Sequence, residues 1–524
     1  MSTSGSTRRD FLRSVGLGAT ALAAGGCKTA FKHFADRPSG RPNILLITAD
    51  DMNWDVPGCY GKALADNVTP NLDRLAEQGM RFNYAHITVA ACQPCRSSLM
   101  TGRYPHRNGA EGFDPIHTNV PTLTEQLHKA GYINGIFAKA GHLQPDEKFC
   151  WSVTHHEKAM AFGRDPKKYY QLSKEFFQLA EKNGQPFFLM ANSSDPHRPL
   201  FQDGDEPDFY NEEQRQEFAL PSRIYKSDEI TMPGFLPDIP VVREDVMRYL
   251  CSARRCDDTV GEILRALREC GREKDTLVMF ISDHGMGFPF AKANCYLNST
   301  RVPWIVRWPG VVKADTVDNR HFISVIDFMP TILDAAGLNQ PEDMDCFSFL
   351  PVLFGRRQKN RDKVFTQFHE GVARKRLPMR CVQNKKYGYI FNPWSDGEKF
   401  YSIGYTNRAS WKAMVAAAET DPDIAARVEM FKYRTVEEFY DFENDPDALH
   451  NLIDQPGYGK EINKMRRQLL DWMERTNDPA LEAFRNRHRP EVLKRFVECQ
   501  EAESKARGRH LKEQIRRQRR DQGR

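Results

Sequence analysis

Asn43-Ile44-Leu45-Leu46-Ile47-Thr48-Ala49-Asp50-Asp51 is the stretch on which the fold turns. Its four consecutive aliphatic residues read as a short strand covered on both faces, as in a parallel sheet held between helical layers. The run then gives way to two carboxylates, and open α/β sheets place their ligand sites beyond the carboxyl ends of such strands. Comparable runs follow at Ile133 to Phe137, Phe187-Phe188-Leu189-Met190, Leu277-Val278-Met279-Phe280-Ile281 and Trp304-Ile305-Val306. The first three of these are also followed within a few residues by Asp, Lys or His.

Helical patterns separate the runs, which makes the architecture α/β with a mostly parallel sheet. Thr69-Pro70 opens one helix that Gly79 closes, and Thr122 with Glu125 forms a capping box for another ending at Gly131. Residues 243–270 carry Leu250, Val260, Ile263, Leu264 and Leu267 on one broad face, as expected of a crossover helix. The Pro- and acid-rich stretch from His197 to Val241 lacks periodicity, and a connection of that length predicts a loop that shapes a substrate cleft. After about Gly355, short aromatic runs at Tyr387 to Phe391 and Glu437 to Phe442 predict a small antiparallel sheet with a helix.

A chain of 524 residues exceeds what one core supports, and the expected division is 1–40 signal and linker, 41–355 catalytic domain, 356–478 C-terminal α+β subdomain and 479–524 basic helical tail. Net charge is only +5 and is concentrated in the tail, so the body is near neutral and no nucleic-acid partner is expected. The tail's charge suits a solvated helix better than a polysaccharide clamp. Arg8-Arg9 ahead of a Gly/Ala-rich stretch resembles a twin-arginine export signal, and the small residues before Cys27 also resemble a lipoprotein box. Export to the periplasm, with a lipid anchor at Cys27 as one alternative, is the expectation. The twelve cysteines show no metal-ligand spacing, and no disulfide is assigned.

The most specific signal is Cys92-Gln93-Pro94-Cys95-Arg96-Ser97-Ser98-Leu99-Met100-Thr101-Gly102-Arg103. It resembles the signature of the sulfatases, in which the first Cys of C-x-P-x-R is oxidised by a maturation enzyme to formylglycine. Cys95 departs from the usual Ser or Ala. The resemblance implies an alkaline-phosphatase-like αβα sandwich and a reaction in which the hydrated aldehyde offers one hydroxyl to attack sulfur and a second to drive release. A helix beginning near Arg96 would direct N–H groups at sulfate, with the guanidinium as a bidentate clamp.

On the same family pattern Asp50, Asp51, Asp283 and His284, with the modified Cys92, become ligands of Ca²⁺, with Mg²⁺ as the alternative. Lys139 and His142 occupy a G-K-x-H-like position with one extra residue. His197, in Asp195-Pro196-His197-Arg198, corresponds to the acid that protonates the leaving group, and Lys292 to a sulfate contact. Within the family the chain is most similar to the N-sulfoglucosamine sulfohydrolase (sulfamidase) branch, through Asn108-Gly109, Asp195 to Arg198, the segment Phe288-Pro289 to Tyr296, and Leu377-Pro378-Met379-Arg380. That branch implies a sulfated carbohydrate substrate, with Asp195, Arg198, His369, Glu370 and Arg380 as its contacts. An O-sulfatase, a phosphodiesterase or phosphonate hydrolase on the same scaffold, and a silent carbohydrate binder remain the competing readings. His106 reads as structural, and His155-His156-Glu157 as solvated.

Overall fold

The computed structural model describes residues 40–203, 210–403 and 406–521, and Arg8, Arg9 and Cys27 lie outside them. Fourteen strands are assigned among the described residues, in chain order β1 Asn43–Asp50, β2 Met80–Phe82, β3 Ala85–His86, β4 Ile133–Phe137, β5 Val153–His155, β6 Phe187–Pro196, β7 Thr276–Ser282, β8 Trp304–Arg307, β9 Thr316–Asp318, β10 Ile323–Ser324, β11 Lys363–Glu370, β12 Arg376–Asn384, β13 Tyr387–Phe391 and β14 Glu437–Asp441. Eight form a mixed sheet in the order β5-β4-β6-β1-β7-β8-β2-β9. The central strands β4, β6, β1 and β7 run parallel, so four carboxyl ends open side by side on one edge. Every residue of β1, β4, β6 and β7 is buried, which explains why those runs are continuous rather than alternating.

Helices cover the sheet as the sequence predicts. Pro240–Glu269 buries Val242, Val246, Leu250, Val260, Ile263 and Leu267 and packs against β6 and the helix Pro166–Asn183. The capping box forms: Glu125 N–H donates to Thr122 Oγ1 at 3.2 Å, and Thr122 N–H donates to Glu125 Oε2 at 2.8 Å.

The second sheet is β11-β12-β13-β14, antiparallel throughout. Its last two strands are the ones expected from the aromatic runs, whereas β11 and β12 are additional. Both faces are buried. Leu377, Met379 and Cys381 join the main core, while Val382, Tyr389 and Phe391 join a second core with Leu469 and Trp472 of the helix Gly459–Arg475. A long helix, Pro490–Asp521, ends the described chain. From Asn43 onward the described residues pack as one unit, so residues 355 and 478 mark changes of architecture within it. The eleven described cysteines are all free, and no described helix is long and apolar enough to cross a membrane.

Candidate active site

The four adjacent strand ends deliver the polar residues. Asp50 closes β1, and Asp51 follows in a left-handed conformation at φ +70° that turns its carboxylate back toward the sheet edge. β7 hands over to Asp283 and His284, β4 to Lys139 and His142, and β6 to His197. Lys139 is also left-handed, at φ +57°, and its N–H donates to Glu157 Oε1 at 2.7 Å. Non-glycine residues in that region cost about 1–3 kcal/mol each when the backbone is strained, so their gathering at one strand edge marks a place held by its surroundings. Gly285 is required by close approach: a Cβ there would lie 1.9 Å from the carbonyl oxygen of Asn298.

Cys92 comes from the other direction. It is the first residue of the helix Cys92–Thr101, whose start therefore lies four residues ahead of the expected Arg96. Asp50, Asp51, Cys92 and His284 each place one donor atom so that all lie within 4.8 Å of one another. His284 Nδ1 lies 3.0 Å from the Gly285 carbonyl, which only accepts, so Nδ1 carries the proton and Nε2 presents its lone pair to Cys92 Sγ at 3.3 Å. Asp283 stands just behind, taking the Asp51 N–H at 3.1 Å on Oδ1 and Arg96 at 3.0 Å on Oδ2. Burial and then the Asp50 charge push the Asp283 carboxyl above its usual range, the mark of crowded negative charge. Two or three carboxylates with a neutral imidazole nitrogen suit a divalent cation.

Arg96 departs from its expected role. Its guanidinium donates to Asn192 Oδ1 at 2.6 Å, Thr48 Oγ1 at 3.1 Å and Asp283, all on the sheet side, because position five of the helix faces inward. These contacts hold the acidic cluster in place.

A cavity of about 590 Å³ opens above Cys92 and Asp51, with Lys139, His142, His197 and Lys292 in its wall. Lys292 Nζ donates to both oxygens of Asp51, at 2.7 and 2.9 Å, and Lys139 is ion-paired with Asp50. His197 Nδ1 lies 2.7 Å from the Arg198 carbonyl, which fixes the proton there and leaves Nε2 free to exchange one. Burial and the nearby Lys292 push its pKa down to about 4. His142 reaches the cavity despite the extra residue before it; its Nδ1 is buried with no hydrogen-bond partner among the described residues, and burial together with Lys139 holds its pKa well below the usual value.

Among the expected substrate contacts, only Arg198 lines the cavity. Asp195 is turned into the helical layer, where Arg255 grips it at 2.7 and 2.9 Å. Phe368 of β11 faces the cavity, so strand alternation points His369 away, toward Gln367 and Glu111. Glu370 is buried and accepts from Ser504 Oγ at 2.6 Å. Arg380 lies on the face of β12 opposite Met379 and Cys381 and makes a bidentate pair with Asp478, at 2.5 and 2.9 Å. These four residues lie outside the cavity lining and are held by protein partners. His106 is satisfied by Gln367 and the Thr476 carbonyl, as a structural residue should be. Glu157 is a correction in the other direction, since a residue read as solvated anchors Lys139. Glu157, Thr48 and Asn192 carry no motif of their own, and only their partners reveal them.

A family model described as Sulfatase matches residues 42–338. The chain belongs to the sulfatase family. Like the family, it is a hydrolase of sulfuric esters or sulfamates. A second model, described as N-sulphoglucosamine sulphohydrolase, C-terminal, matches residues 283–402 of this sulfatase, bridging the end of β7 and the first three strands of the small sheet. Human N-sulphoglucosamine sulphohydrolase is 29% identical to it over 467 residues, covering 83% of this chain and 91% of the relative. An ulvan-active sulfatase of Formosa agariphila is 28% identical over 445 residues, covering 84% and 81%. Among solved structures, a protein in complex with its substrate D-glucosamine-2-N,6-O-disulfate superposes with a TM-score of 0.60 at 19% identity, covering 84% of this chain and 98% of that one. A phosphonate monoester hydrolase of Agrobacterium radiobacter gives 0.59 at 20% identity, covering 83% and 96%. These two likenesses establish that the sulfatase shares their fold.

Proposed function

We propose that this sulfatase removes sulfate from a sulfated sugar, with the N-sulfate of a glucosamine in heparan- or heparin-type glycans as its substrate. One observation carries the reading: Cys92, at a helix N-terminus, meets Asp50, Asp51 and His284 at the floor of a cavity walled by Lys139, His142, His197 and Lys292. The similarity to the human N-sulphoglucosamine enzyme over most of both chains, and the matching C-terminal model, support the sugar and the nitrogen linkage.

In this reading Cys92 Sγ stands where formylglycine places its oxygens, and that group supplies two hydroxyls on one carbon, one for attack at sulfur and one for release. The thiol itself is unsuited to attack, since burial and Asp50 hold it protonated. Asp50, Asp51 and His284, backed by Asp283, hold a divalent cation, Ca²⁺ in preference to Mg²⁺, which would polarise sulfate and offset its charge. Lys292 and Lys139, each already bound to one of these carboxylates, turn toward the sulfate oxygens in the cavity. His197 keeps Nδ1 on a carbonyl and offers Nε2 to the departing nitrogen; the negative sulfate brought beside it raises its affinity for the proton it must give. Export, and maturation of Cys92 by a partner enzyme, complete the proposal.

The test is release of inorganic sulfate from N-sulfoglucosamine, from O-sulfated glucosamine and algal oligosaccharides, and from phosphate diesters and phosphonate monoesters. Turnover of the sulfamate well above the others is expected. Preference for an O-sulfate would move the assignment to the reading suggested by the ulvan-active relative, and preference for phosphorus would overturn it.

A further inference from the structure

The cavity wall carries more cations than removal of one sulfate requires. Among the described residues that line it, Arg164, Arg198, Lys375 and Arg408 join Lys139 and Lys292, and Asp51 is the one acidic side chain. Among the described residues, the carboxylates that pair with Arg164 and Arg198 include Asp195, Asp203 and Asp245, and none of the three lines the cavity. Lys375 is different in kind. Its ammonium donates to the Phe400 carbonyl at 2.6 Å and to Ser402 Oγ at 2.8 Å, both neutral acceptors that fix its position without cancelling its charge.

Two further observations converge. Lys375 is pushed below its usual pKa by burial and by Lys399, with Glu501 acting against them, so the cations about it outweigh the acid. Lys375 also follows the turn Gly371 to Arg374, where Val372 is 74% exposed, so this side of the cavity is its mouth while Cys92 is its floor. A cation held by neutral groups at the entrance to a pocket attracts an anion that arrives with the substrate.

We propose that Lys375 forms a second anion subsite, which takes a negative group of the substrate other than the sulfate being removed: the carboxylate of a neighbouring uronic acid or a further sulfate on the sugar. The subsite rests on the reading above, that the substrate is a sulfated sugar. It makes the enzyme selective for polyanionic glycans without contributing to the chemistry at sulfur.

The experiment compares kcat/KM for glucosamine N-sulfate, its 6-O-sulfated form and a uronate-linked N-sulfated disaccharide in the wild type, Lys375→Gln and Lys375→Arg. The expected result is a wild-type preference for the doubly charged substrates that drops at least about tenfold in Lys375→Gln, through KM, and is retained in Lys375→Arg. The substrate that loses more identifies carboxylate or sulfate as the ligand. An unchanged preference in Lys375→Gln, at wild-type melting temperature, overturns the proposal. Free glucuronate and inorganic sulfate, read as melting shifts that shrink in Lys375→Gln, test the subsite even where no substrate turns over, a result that would count against the function alone.

Discussion

His197 is the residue whose two jobs are most clearly separated by geometry. One nitrogen is tied to a backbone carbonyl and the other faces the cavity. His197→Ala is expected to slow cleavage of a sulfamate by about 10²–10⁴-fold, the usual worth of a general acid, and to spare an aryl sulfate whose leaving group needs no proton. Equal losses on the two substrates, measured as kcat, would remove it from that role. A second histidine reports on stability instead. Burial and Arg301 push the pKa of His86 down to about 3, whereas in the unfolded chain it is about 6.5. Between those values the unfolded state binds the extra proton, so His86's contribution is intact above pH 6.5 or so and is lost as pH falls toward 3. His86→Gln should flatten the pH dependence of the melting temperature across that window.

Most of the residues gathered at the candidate site were legible in the sequence because motif and strand end coincide: Asp50, Asp51, Cys92, Lys139, His197, Asp283, His284 and Lys292 each stand where an apolar run or the signature placed them. The roles that failed are those decided by side-chain direction. Arg96 belongs to the signature, but its helical position aims it at Asn192 and Thr48, and nothing in the local sequence distinguishes that from an outward turn.

At the scale of elements, the parallel strands announced themselves through unbroken apolar runs, while β11 and β12 did not. Arg376, Arg380, His369 and Glu370 interrupt those strands with polar and charged side chains that are buried against partners from other elements, among them Glu111, Asp478 and Ser504. Strand alternation then sent His369 and Arg380 to the far face, which a reading by segment alone does not resolve. The Arg380–Asp478 pair makes this measurable. Burial opposes ionisation of Asp478, yet the Arg380 charge and the hydrogen bonds from Arg380 and the Ala480 N–H are the leading part of what holds the carboxyl below its usual range. Asp478→Leu leaves a buried guanidinium without its carboxylate and should cost about 3–5 kcal/mol in chemical denaturation. A cost near zero would mean that Arg380 finds another partner.

At the scale of the whole molecule, a cation would join Asp50 and Asp51 at the end of β1 to His284 after β7, two segments about half the described chain apart in sequence and adjacent in the sheet. Binding to the folded state alone raises stability, by about 2.7 kcal/mol at a free concentration one hundred times Kd. Adding Ca²⁺ to chelator-treated protein should therefore raise the melting temperature and restore sulfate release, and Asp50→Asn should abolish both responses. A melting temperature indifferent to Ca²⁺, Mg²⁺ and chelator would argue against a metal at this cluster.

The terminal helix has a consequence of its own. Ser504 bonds Glu370, Arg507 pairs with Asp114, and Gln500 bonds Arg376, so the turn at the cavity mouth is fastened by a helix that follows all the assigned strands in sequence. A ribosome has therefore produced the fourteen assigned strands before it makes these fasteners. Until that helix emerges, the nascent protein holds the polar groups of its strand ends on a finished sheet beneath an entrance that is still loosely tethered.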